Sequence, residues 1–95
     1  MSDPRLAPVL DRIDADLDAS LERLFDLLRI PSVSTDPARR ADCAAAADWL
    51  VTDLARLGID AAAHTTPGHP IVLGHGGPAE GPLLLFYGHY DVLPA

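Results

Sequence analysis

Apolar residues recur every three or four positions over the first third of the chain. Leu10, Ile13, Leu17, Leu21, Leu24 and Leu28 draw one stripe, and Asp11, Asp14, Asp18 and Glu22 lie off it. This spacing predicts an amphipathic helix. Asp3-Pro4 and Ala7-Pro8 both allow a start, because proline fits a first helical turn, where its missing N–H would be unpaired anyway. Pro31 ends the helix by pushing Ile30 out of the helical region. Ile30 to Thr35 then reads as a connecting loop. Asp36-Pro37 is an N-cap and first-position pair for a second helix, which runs through Ala44 to Leu57 and stops at Gly58. Its apolar face would be Cys43, Ala46, Ala47, Leu50, Leu54 and Leu57, and the small residues in that set allow close packing on a sheet.

Beyond Gly58 the pattern changes to that of strands. Ile59–Thr65 and Ile71–Gly74 are predicted strands on either side of a turn, Thr66-Pro67-Gly68-His69-Pro70. Gly76 to Gly81 forms another turn. Leu83-Leu84-Leu85-Phe86-Tyr87 is a continuous apolar run, the pattern of a strand covered on both faces by helices. The predicted class is therefore α/β, with two N-terminal helices packed on the start of a mixed β-sheet. A doubly covered strand needs neighbours on each side, and little sequence follows this one. Residues 1–95 are accordingly expected to be one part of a larger domain. No internal repeat or low-complexity segment breaks the pattern.

Composition narrows the classes of partner. With 48% hydrophobic and 22% charged residues, the chain has the makeup of a globular protein rather than a disordered one. Ninety-five residues can bury roughly 60–65% of their unfolded surface, which leaves a thin stability margin. The formal net charge of -7 argues against nucleic-acid and anionic-membrane partners, since such a chain repels both. Cys43 is the single cysteine, so no disulfide can form within the chain, which fits a reducing compartment. The N-terminal residues lack the basic and apolar regions of a signal peptide. The expected location is the cytoplasm.

The candidate chemistry lies in Gly88-His89-Tyr90-Asp91, directly after the apolar run. In open α/β sheets, ligands bind outside the carboxyl ends of the strands. Alternate residues of an extended chain point the same way, so His89 and Asp91 project to one side. That suits a metal-binding imidazole whose second ring nitrogen donates to a carboxylate. Gly88 would let the backbone turn closely into the site. The ordinary alternative is a structural pair that only satisfies local hydrogen bonds.

Other residues offer weaker stories. His64, His69 and His75 fit no compact zinc spacing and read as exposed loop histidines. Cys43 on an apolar helix face reads as a small core residue, not a nucleophile. Ser32 and Ser34 lack a nucleophile elbow, so loop or capping roles suffice. The acidic positions of the first helix lack calcium-loop spacing and read as a solvated face. Trp49 and Tyr90 read as packing residues, and Gly74-His75-Gly76-Gly77 opens no helix that could cradle a phosphate.

Three stretches carry a family resemblance. Tyr87-Gly88-His89-Tyr90-Asp91-Val92-Leu93-Pro94 resembles the first metal motif of the co-catalytic zinc peptidases, which include aminoacylase, carnosinase-like dipeptidases, carboxypeptidase G and succinyl-diaminopimelate desuccinylase. Leu27-Leu28-Arg29-Ile30-Pro31-Ser32-Val33-Ser34 resembles the end of that family's first helix. Thr66-Pro67-Gly68-His69-Pro70 resembles a turn of its dipeptidase branch. At Leu93 the chain departs from the carnosinase branch, which often has a polar residue there.

The resemblance implies that residues 1–95 form the N-terminal part of a zinc-peptidase catalytic domain. His89 would be a ligand to one of two zinc ions, with cobalt or manganese as substitutes. Asp91 would be the catalytic-site carboxylate that orients His89. It also implies hydrolysis of an amide bond in a dipeptide or N-acyl amino acid, and a homodimeric full-length protein. The other ligands and the general base lie after the family's first motif, so residues 1–95 alone are expected to bind zinc weakly and hydrolyse nothing. The rival reading is a small free-standing α/β binding module without catalysis.

Overall fold

The computed structural model describes residues 3–94. Its elements are α1 (Leu6–Ala15), α2 (Leu17–Leu28), a 3-10 turn (Pro37–Arg39), α3 (Arg40–Arg56), β1 (Asp60–His64) and β2 (Ile71–His75). The class is α/β, with helices leading into a sheet.

The first predicted helix is split in two at Asp16. The backbone ladder nevertheless runs through it: Asp16 N donates to Arg12 O at 3.0 Å, and Ser20 N donates to Asp16 O at 2.8 Å. Asp16 itself sits at φ -99°, ψ 7°, and its carboxylate pairs with Arg12. Asp16 makes no side-chain bond to the backbone of α2, so the break is a local departure of its backbone angles from helical values. The stripe along α1 and α2 stays substantially exposed, from Leu10 to Leu28. Towards the end of α2, Arg23 Nε donates to Asp53 Oδ1 of α3 at 3.3 Å, and Leu27 is half-buried.

The cap at Asp36 forms as the sequence predicts. Its carboxylate accepts from Ala38 N at 2.9 Å, and Pro37 starts the 3-10 turn that runs into α3. Gly58 ends the region at φ +81°, a conformation that an L side chain resists. Along α3, Cys43, Ala46 and Ala47 are fully buried. They form the buried face of α3, a helix that also packs on both strands, and Cys43 lies close to Tyr90 and Asp91. Burial pushes the Cys43 thiol up from its ordinary value, so it is a packed thiol rather than an activated one.

β1 and β2 form an antiparallel pair, with Asp60 opposite His75, Ala62 opposite Leu73 and His64 opposite Ile71. Ala61 and Val72 are the half-buried positions of the hairpin. Gly74 allows the approach of Ile59, because a Cβ there would lie 2.9 Å from Ile59 Cγ2.

The apolar run Leu83–Tyr87 does not form the predicted buried strand. These residues have no regular secondary structure, and their exposures run from 74% at Leu84 to 93% at Tyr87. A buried strand needs hydrogen-bond partners along its edges and layers on its faces. Among the described residues the sheet is one two-stranded hairpin, too small to supply them. No helix among the described residues is long and apolar enough to cross a membrane.

Candidate metal-binding segment

The segment from Gly88 to Val92 is placed without a strand in front of it. Two other stretches hold it instead, the loop between α2 and the 3-10 turn and the turn between β1 and β2. Ser32 is fully buried; its Oγ donates to Tyr90 O at 3.1 Å, and its carbonyl accepts from Val92 N at 3.1 Å. Ser34 Oγ donates to Asp91 Oδ2 at 2.6 Å. On the other side, Tyr90 Oη donates to Pro70 O at 2.7 Å. His69 closes the circuit, because its Nε2–H donates to Ser34 O at 2.7 Å. A carbonyl can only accept, so the proton is on Nε2 of His69. Its Nδ1 is buried with no hydrogen-bond partner among the described residues. Thr66 shapes the turn, with Oγ1 donating to His69 O at 2.7 Å.

Within this frame His89 Nδ1 lies 2.7 Å from Asp91 Oδ1. An ionised carboxylate only accepts, so Nδ1 carries the proton and the Nε2 lone pair is free. The His89 side chain is 77% exposed and that of Asp91 40%. Both line an open cleft of about 650 Å³ with Ser34, His69 and Tyr90, while Leu27, Leu50, Leu54 and Val72 supply apolar wall. The cleft thus has an apolar side and one polar edge, the usual composition of a small-molecule site. An imidazole backed by a carboxylate, with its other nitrogen open, has the donor chemistry of a metal ligand. It is one ligand only. Among the described residues no three His, Cys, Asp or Glu side chains are grouped to hold a metal ion.

The Asp91 carboxyl is held below its ordinary 3.8, first by the hydrogen bond from Ser34 and then by that from His89. A depressed folded value stabilises the fold at pH above the unfolded value near 3.8, and that contribution is lost as pH falls through the lower folded value. Following the carboxyl carbon by NMR through an acid titration should place the Asp91 midpoint below 3.8. A midpoint at or above that value would mean that the Ser34 and His89 bonds do not persist in solution. The Tyr90 hydroxyl is pushed up, chiefly by burial, with the nearby Asp91 carboxylate adding to it. It therefore stays a donor to Pro70.

Several sequence expectations change here. His69 is not a free loop histidine: it is half-buried and bonded, whereas His64 and His75 are exposed. Ser34 touches the candidate carboxylate, and Tyr90 ties two segments by its hydroxyl. Gly88 makes no close approach, since a Cβ there would meet nothing within 4 Å. Local sequence could not show these ties, because the partners of Ser34 are 57 and 35 positions away. The signal that did exist was indirect: the bonded residues fall in the three stretches that carry the family resemblance.

No family model matches the chain, and no solved structure matches it. Two curated relatives do. A Cys-Gly metallodipeptidase of Candida albicans is 36% identical over 95% of this chain and 21% of its own length. A Cys-Gly metallodipeptidase of Schizosaccharomyces pombe is 35% identical over 87% of this chain and 20% of its own length. The chain spans about a fifth of the length of these relatives, and over that fifth the similarity supports a metallopeptidase-family relationship.

Proposed function

We propose that the chain contributes the first metal-binding segment of a zinc-dependent dipeptidase, with His89 as a ligand and Asp91 as the carboxylate that orients it. The observation that carries this reading is the 2.7 Å contact between His89 Nδ1 and Asp91 Oδ1, which leaves Nε2 open at the cleft. The names of the two relatives support a metal and a dipeptide. A metal ion bound there would polarise the scissile carbonyl and lower the pKa of an attacking water. The residues on this chain do narrower work. Asp91 holds the imidazole in one tautomer, the Ser32 and Ser34 loop holds Asp91 in place, and the apolar wall around Leu50 and Leu54 excludes water from one side of the cleft.

Hydrolysis needs further ligands and a base, and a single imidazole does not make a site. The reading therefore assigns the remaining metal ligands to other parts of a complete catalytic domain, and the substrate to dipeptides, with N-acyl amino acids as the second candidate class. The test is to titrate the complete protein with Zn²⁺, follow the His89 ring nitrogens by NMR, and assay a panel of dipeptides and N-acyl amino acids. Perturbation of His89 together with cleavage of dipeptides supports the reading. A stable protein whose His89 ignores Zn²⁺ and which cleaves nothing overturns it in favour of a non-catalytic binding module.

A further inference from the structure

We propose that Ser34 is a positioning residue that sets the tautomer of His89 by holding Asp91. An aspartate that is 40% exposed has water competing for both oxygens, and its terminal torsion is broad and two-fold. Left alone, it would present either oxygen, or neither, to His89. Ser34 removes that freedom. Its hydroxyl takes Oδ2 at 2.6 Å, a length typical of a charge-assisted O–H···O⁻ bond. With Oδ2 held, Oδ1 faces Nδ1 of His89.

Ser34 can do this because it is itself anchored from another part of the chain. His69 Nε2–H grips the Ser34 carbonyl at 2.7 Å, so the loop cannot swing its hydroxyl away. Two residues earlier, the buried Ser32 fastens the backbone on both sides of Asp91, through Tyr90 O and Val92 N. The hydroxyl therefore acts on the Asp91 side chain from a frame already fixed to the Asp91 backbone. The chain of action runs from His69 through the Ser34 carbonyl to the Ser34 hydroxyl, and then through Asp91 to Nδ1 of His89. Its consequence is a free Nε2 lone pair. The value of that lone pair to a metal ion rests on the function proposed above, but control of the tautomer does not.

The experiment is two-bond ¹⁵N–¹H NMR of the histidine rings in the full chain without metal, at alkaline pH where imidazoles are neutral. His89 should show the Nδ1–H pattern and His69 the Nε2–H pattern. In Ser34→Ala, which keeps the backbone carbonyl, the two His89 nitrogens should shift towards each other as the tautomers mix, while His69 keeps its pattern. Ser34→Thr, which keeps a hydroxyl, should restore the wild-type His89 pattern. In an Asp91→Ala background, which removes the group through which Ser34 acts, Ser34→Ala should add no further shift. The proposal is overturned if Ser34→Ala leaves His89 unchanged, or if it disturbs His69 as much as His89, which would mark a general loss of the loop. It is also overturned if Ser34→Thr behaves like Ser34→Ala. An absence of zinc binding in the wild type would remove the metal reading of His89 and leave this tautomer result standing by itself.

Discussion

On the function proposed above, Asp91→Asn in the complete protein is expected to weaken zinc binding by about 10–100-fold, the usual cost of removing the carboxylate behind a metal-binding imidazole. The substitution keeps size and shape but removes the charge that makes Nδ1 the protonated nitrogen. It also offers Nδ1 an amide that can turn its NH₂ towards the ring, donate to Nδ1 and so favour the opposite tautomer. The backbone around position 91 should survive, because its ties run through Tyr90 O, Val92 N and the Tyr90 hydroxyl rather than through the carboxylate. Chelator-competition titration measures the affinity, and circular dichroism confirms the fold. An unchanged zinc affinity in a folded variant would show that Asp91 does no more than satisfy a local hydrogen bond.

Ala46→Leu should be the most damaging single change in the core. Ala46 is 0% exposed, and with Cys43 and Ala47 it makes up the fully buried apolar set on α3. Three carbons added at a fully buried position must displace neighbouring groups or force the side chain from its preferred rotamer. Overpacking of this kind costs about 1–3 kcal/mol. For a chain of this size that lowers the melting temperature by roughly 4–8 °C per kcal/mol. Ala45→Leu, at an exposed position on the same helix, is the control and should be nearly neutral. Equal melting temperatures for the two variants would mean that the face of α3 carrying Ala46 is not buried as described.

These two expectations draw on different levels of the molecule. The buried face of α3 was legible from Cys43 to Leu54, because a helix face reads as a periodic set of apolar residues, although Leu57, expected on that face, is 57% exposed; the cap and stop at Asp36 and Gly58 are local backbone chemistry. The hairpin was legible for the same reason, since Thr66–Pro70 breaks the run between two short apolar segments. Leu83–Tyr87 shows where local reading ends. Its composition is that of a buried strand, yet a strand exists only when neighbours accept and donate its backbone hydrogen bonds, and residues 3–94 provide none there. The exposed stripe on α1 and α2 is the same case in helical form, an apolar face whose covering layer its own residues do not specify.

The candidate site divides along the same line. The sequence by itself determined the helical segments, the cap and stop around α3 and the hairpin turn, and it set His89 and Asp91 close enough to pair, because each depends on residues within a few positions of one another. The tertiary structure alone decided how that pair is held: Ser34 on the carboxylate, His69 on Ser34, Ser32 and Tyr90 on the backbone either side. Those bonds join residues 20 to 58 positions apart. No periodicity records them, since a serine or histidine in a loop has the same local signature whether it faces water or another segment. Only the closing of the chain on itself, which desolvates Ser32 and brings the three segments into hydrogen-bond range, makes that choice.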